Sequence, residues 1–178
     1  VESLQLLFKD HFRESHKNLK LLDDYVGMEK AIQGAKRLLF YFIPEGKNIN
    51  ILDKENMFKS DFSKDREEYR LVHYASFYRI FGNLIKNISD HGGYNVSVVF
   101  EDEDNFFHII VKNNFHKNED SSDERIEKSF GLKSIERNCL EQNGQFKFIK
   151  KGTMWKSEIW LPFQMTKKTI LEEKKEGA

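Results

Sequence analysis

Three short segments carry side chains suited to holding a nucleotide or a metal ion. The first runs Asn83-Leu84-Ile85-Lys86-Asn87-Ile88-Ser89-Asp90-His91-Gly92. Asn83 and Asn87 are four residues apart, so on a helix they share one face. An Asn side-chain oxygen can ligate Mg²⁺, an ion that uses few protein ligands and fills its shell with water and phosphate oxygens. The same two amides could equally cap or solvate a helix. In the second segment the apolar run Ile109-Ile110-Val111 gives way to Lys112-Asn113-Asn114. Polar groups at a strand end can read a base, or can simply open a turn. The third segment is Ser129-Phe130-Gly131-Leu132-Lys133-Ser134-Ile135. A glycine at a helix start lets backbone N–H groups approach a phosphate, which the helix dipole also favours. An ordinary helix start would look the same.

These segments need elements to hold them. Tyr69 to Ser89 reads as a long helix, with Leu71, Ala75, Tyr78, Leu84, Ile85 and Ile88 as its buried stripe, stopped by His91-Gly92-Gly93. A short strand is expected over Ile49–Leu52, ahead of a charged stretch, Lys54 to Glu68. Val96, Val98 and Phe100 alternate with Ser97, Val99 and Glu101 as in a half-buried strand. Asp102 to Asn105 reads as a hairpin turn and Phe106 to Val111 as a central strand. Asn113 to Lys128 lacks a period and reads as a long loop of the kind that often serves as a lid. Leu132 to Leu140 reads as a helix ended near Asn143-Gly144. Phe146–Ile149 and Trp155–Leu161 form an expected closing hairpin around Lys150–Thr153, with Pro162 ending it. The fold class expected is α+β, a two-layer α/β sandwich with a mixed sheet and helices on one face.

Ahead of the sandwich, Leu4, Phe8, Phe12, Leu19, Leu22 and Val26 fall at helical spacing, and Gly27 can end that helix. Ala31, Ala35, Leu38, Leu39 and Phe42 follow before Pro44 and Gly46 break the pattern. The simplest picture is an antiparallel helical hairpin over 1–44 that dimerises, because an isolated hairpin of this length is marginal alone. The sandwich would then span 45–165, and 166–178 would be a charged tail, frayed or weakly helical.

Bulk composition narrows the classes. The 178 residues carry 29 Lys+Arg against 29 Asp+Glu, so there is no basic excess of the kind a phosphate-tracking nucleic-acid binder needs. The single cysteine, Cys139, cannot form an internal disulfide, and its apolar helical neighbours make it a packing residue in a reducing, cytoplasmic setting. No run approaches the ~20 apolar residues of a membrane span, so no membrane contact is expected of this segment. The chain starts at Val1 and reads as the possible cytoplasmic part of a longer sensor.

The order and spacing of these motifs resemble the GHKL (Bergerat) ATPase-like domain of sensor histidine kinases, from about Glu67 to Phe163. Residues 83–92 resemble the family's N box, Val111–Asn114 stand at its first glycine box, and Ser129–Ile135 resemble its second. Asn143-Gly144-Gln145-Phe146, Lys151-Gly152-Thr153 and Trp160-Leu161-Pro162-Phe163 resemble its ending. The resemblance implies ATP and Mg²⁺ as cofactors. It implies that Asn87 chelates Mg²⁺ with Asn83 beside it, and that Asp90 and His91 lie near the nucleotide. It places Gly131 and Leu132 at the phosphates, with a lid between Asn114 and Ser129. Asn113 stands where the family has an adenine-reading Asp, and Ser129 replaces the first glycine of the second box. A neutral Asn still accepts a hydrogen bond from an adenine amino group, more weakly than a carboxylate.

In this family the hairpin carries the phosphorylated His. His16, with Leu19 and Leu22 behind it, is the first candidate and His11 the second; His73 and His108 are expected to be structural. The implied function is the cytoplasmic core of a two-component kinase, a homodimer that passes phosphate from its His to an Asp of a response regulator receiver domain. The alternative is a histidine phosphotransferase whose ATPase-like domain does not bind ATP. A third class, an anti-sigma-like kinase that docks a partner protein, lacks such a hairpin.

Overall fold

The structure, a computed structural model, describes residues 25–43, 48–53, 68–115 and 130–167. The first arm of the expected hairpin, with His11 and His16, lies outside the described residues, as do the lid residues 116–129. In chain order the elements are β1 (Tyr25–Gly27), α1 (Met28–Phe42), β2 (Asn48–Asp53), β3 (Glu68–His73) and α2 (Tyr74–His91). There follow β4 (Gly92–Glu103), β5 (Phe106–Phe115), α3 (Phe130–Glu141), β6 (Gln145–Lys151), β7 (Met154–Pro162) and β8 (Gln164–Lys167).

The fold is α+β, with a mixed five-stranded sheet in the order β2-β4-β5-β7-β6. Only the β2–β4 pairing in it is parallel; β4–β5, β5–β7 and β6–β7 are antiparallel. Alternation decides which face is buried. Val96, Val98 and Phe100 of β4, Phe107, Ile109 and Val111 of β5, and Ile159 and Leu161 of β7 point to one side. They form a single core with the apolar faces of the helices, including Ile32 and Leu39 of α1, Phe77, Phe81 and Ile85 of α2, and Ile135 and Cys139 of α3. Stacked rings (Phe77 on Phe81, Phe77 on Phe107, Phe100 on Phe107) fill its centre.

Turn chemistry agrees with the sequence. Asp104 and Asn105 both take positive φ, 50° and 68°, between β4 and β5, as a tight hairpin demands and as Asp and Asn tolerate. Helix α3 ends with Asn143 at φ 57°, while the Gly144 N–H reaches back to the Cys139 carbonyl at 2.8 Å and the Asn143 N–H to Leu140 at 3.0 Å. That double bond is a Schellman ending, and it satisfies two carbonyls the helix would otherwise orphan.

Three local expectations change. The helix expected from Tyr69 starts at Tyr74; Glu68–His73 is a strand, paired on one side with β1 and on the other with β8. His73 becomes the N-cap of α2, its ring Nδ1 accepting the Ser76 backbone N–H. The chain does not stop its pairing at Pro162, because β8 adds to β3 and takes Thr166 and Lys167 into a strand. The helix expected over Ala31–Phe42 is present as α1, but its buried face belongs to the sandwich core, and Val26, expected at the end of a helix, lies in β1. The core therefore takes in residues from Val26 onward, ahead of the expected boundary at 44–45, because α1 must cover the sheet beside α2.

Candidate functional site

The candidate site forms where the C-terminal half of α2 faces the first turn of α3. Asn83 donates from Nδ2 to the Arg79 carbonyl at 2.8 Å and to Ser134 Oγ of α3 at 3.3 Å. Its amide thus ties the two helices together. One turn later, the Asn87 side chain meets Gly131. A Cβ built at Gly131 would stand 3.1 Å from Asn87 Oδ1, so the glycine is what lets the Asn87 side chain lie this close to the start of α3. No hydrogen bond among the described residues engages the Asn87 amide. Its oxygen consequently faces the first turn of α3, where the helix N–H groups have no intrahelical partner. Asn87 supplies a neutral oxygen, which fits Mg²⁺ as one protein ligand among water and phosphate oxygens.

The rest of α2 reaches toward the sheet. Asp90 is half-exposed and pairs with Lys86 across one helical turn. His91 is exposed, and its ring lies 6.2 Å from that of Trp155 on β7. Trp155 is in register with Asn113 of β5, which is in turn opposite Val96 of β4. Asn113 is 7% exposed and donates from Nδ2 to the Asn114 carbonyl at 3.2 Å. That bond uses one of the two N–H groups of the amide, whose oxygen is its accepting group. Asn114 has a different task. Its Oδ1 accepts the Asn95 N–H at 3.1 Å, where the β4 register shifts between Gly92 and Val96. Leu132 is buried in the core, so only its backbone is placed to meet a ligand.

The fold thus brings Asn87 against Gly131, ties Asn83 to Ser134 of the same helix, and places both His91 and Asn113 beside Trp155. Asp90 is held toward Lys86. Sequence reasoning missed Trp155 as a site residue; the sequence marks it only as the start of the closing strand, and the strand register is what puts it opposite Asn113. Ser134 was missed for the same reason, since nothing local links it to a residue 51 positions away.

The backbone arrangement has known counterparts among solved structures. The catalytic domain of histidine kinase ThkA superposes with a TM-score of 0.57 at 14% identity, over 78% of this chain and 94% of that one. The mycobacterial sensor histidine kinase MprB gives 0.55 at 11%, over 80% and 100%. Histidine kinase AdeS of Acinetobacter baumannii gives 0.52 at 12%, over 89% and 80%. The fold is that of histidine kinase catalytic domains. No family model and no curated protein sequence matches the chain. Among the described residues, no helix is long and apolar enough to cross a membrane.

Proposed function

We propose that this chain is the ATP-binding and phosphotransfer core of a two-component sensor histidine kinase. The observation that carries the reading is the contact between Asn87 Oδ1 and Gly131, which sets an open oxygen ligand against the N-terminal turn of a helix. Asn87 holds Mg²⁺, the backbone N–H groups from Gly131 to Lys133 hold phosphate oxygens, and the Asn113 side-chain oxygen accepts from the adenine amino group. Mg²⁺ supplies charge neutralisation on the phosphates.

The chain's own nucleophile is assigned to His16, with His11 as the second choice. A neutral ring nitrogen attacks the γ-phosphorus, the bond from that phosphorus to the ADP oxygen breaks, and the ring proton goes to solvent. The phosphoryl group then passes to an Asp carboxylate of a receiver domain. We place this step in a homodimer formed through the N-terminal residues that carry His11 and His16.

Titration of the full chain with Mg-ATP tests the nucleotide site. Binding is expected in the wild type and a loss of at least tenfold in Asn87→Ala. Heat-free titration curves in the wild type would refute ATP binding and favour the phosphotransferase alternative. Radiolabel from γ-labelled ATP is expected on the wild type and absent from His16→Ala. Label that persists in both His16→Ala and His11→Ala would overturn the acceptor assignment.

A further inference from the structure

The opposite face of the main sheet carries a second cluster. Residues that alternate away from the core on β4, β5 and β7 include Glu101, Glu103, His108, Glu158 and Trp160. His108 is only 4% exposed and Glu158 8%, although both point away from the helices. The Trp160 ring stacks on that of His108 at 4.4 Å and 11° and covers one side. The His108 Nδ1 lies 2.9 Å from Glu101 Oε1 and 2.7 Å from Glu103 Oε2. Even so, neither ring nitrogen has a hydrogen-bond partner among the described residues.

Those facts conflict if the ring merely donates to a carboxylate. At such distances a donated N–H should be satisfied by one oxygen, yet Nδ1 has no hydrogen-bond partner among the described residues. A shared cation resolves the conflict. With metal–ligand bonds of about 2.0–2.1 Å, two ligands stand about 2.9 Å apart at the right angle of a six-coordinate ion and about 3.3 Å apart at the tetrahedral angle of Zn²⁺, which a small opening of the carboxylates would meet. At the right angle each oxygen lies roughly 45° off the axis of the nitrogen lone pair, too oblique for a hydrogen bond and suited to cis ligands of one ion. The ligand atoms of Glu101, Glu103 and His108 all lie within 4.8 Å of one another.

The surroundings add outer-shell partners of the kind a metal-bound imidazole takes. On the far side of the ring, Glu158 Oε1 stands 3.8 Å from Nε2, within a small closing movement of a carboxylate–histidine bond. Glu158 is itself anchored by Lys156 at 2.6 Å. Trp160 Nε1 donates to Glu103 Oε2 at 2.8 Å and fixes that carboxylate. The Glu103 side chain is 51% exposed, which gives an ion a way in and room for water ligands.

We propose that Glu101, Glu103 and His108 Nδ1 form a binding site for a first-row divalent transition-metal ion, on the face of the sheet opposite the helices. One imidazole and two carboxylates suit Zn²⁺, Mn²⁺ or Co²⁺ better than a thiol-seeking ion. The site is independent of the nucleotide reading, and its test keeps the two apart. Chelator-treated, nucleotide-free full chain is titrated with Zn²⁺ by calorimetry. One ion per chain is expected. Glu103→Gln should weaken binding at least tenfold, and Glu158→Gln, which touches only the outer shell, about tenfold. Asn87→Ala should bind Zn²⁺ as the wild type does. Nitrogen NMR of the His108 ring should show Nδ1 shifting on Zn²⁺ addition while Nε2 keeps its proton. The proposal is overturned if the wild type shows no saturable binding. It is equally overturned if binding survives Glu103→Gln undiminished, or if the ring stays protonated on both nitrogens in saturating Zn²⁺, which would make the cluster an ion pair only. Glu103→Gln alters a half-exposed side chain, so it tests the site even if a His108 variant fails to fold.

Discussion

At the scale of single residues, Gly131 carries two opposed demands. Within a helix a glycine is less favourable than alanine by up to about 1 kcal/mol, so Gly131→Ala should raise the melting temperature or leave it unchanged. Its added Cβ would meet Asn87 Oδ1 at 3.1 Å and push the amide by a few tenths of an ångström. Mg-ATP affinity should therefore fall by about three- to tenfold, because ligand geometry matters at that scale. Calorimetry beside a thermal melt checks both; affinity and stability falling together would show that the variant damages packing rather than the ligand position. The amides at 83 and 87 were legible in the sequence because helical spacing alone puts them on one face. The role of Asn114 was not, since its partner is the Asn95 N–H at a register shift that no local pattern announces.

Among the elements, α3 offers a pH-dependent handle. Cys139 on its inner face is fully buried, and that burial, with Glu136 nearby, pushes the thiol from an ordinary value of 9.0 up to about 12. The folded state thus holds this proton more tightly than the unfolded chain does. The resulting stability is complete below about pH 9 and drains away as pH climbs from there toward about 12. Cys139→Ala should lose on the order of 1 kcal/mol at pH 7 through the space it leaves and show a shallower alkaline decline in melting temperature. Native wild type should resist thiol alkylation at pH 8 at least tenfold better than urea-unfolded chain. The closing strands β6 and β7 and helix α3 were readable because each carries its own period and its own turn residues. Strand β3 was not. Leu71, Ala75 and Tyr78 fit a helical stripe, and the segments that draw 68–73 into a strand lie far off in sequence, at 25–27 and 164–167. Distant pairing overrode local spacing there, as it did at β8.

Across the whole molecule, the three-stranded sheet β1-β3-β8 must be coupled to the five-stranded one, and Arg70 is a visible link. Its guanidinium reaches from β3 to Asp102 of β4 at 2.6 Å and lies 5.8 Å from the Phe163 ring centroid, just past the end of β7. The pair is largely shielded, with side-chain exposures of 11% and 31%. A double-mutant cycle of Arg70→Met and Asp102→Asn, read by urea unfolding, should give a coupling of about 1–3 kcal/mol. A coupling near zero would mean that the sheets are joined by apolar contact alone.

The lone parallel pair in the main sheet has a kinetic consequence. Hairpins β4–β5 and β6–β7 close through two-residue turns, whereas Asn48 of β2 pairs with Asn95, 47 residues further along. Closing that span costs loop entropy before any pairing repays it. Strand β2 should therefore dock after the rate-limiting step of folding. Ile51→Ala is then expected to hasten unfolding and leave refolding nearly unchanged, while Val98→Ala in β4 slows refolding, as chevron plots from stopped-flow would show. The edge of the sheet beside α1 would be the last part of the native state to form and the first to let go.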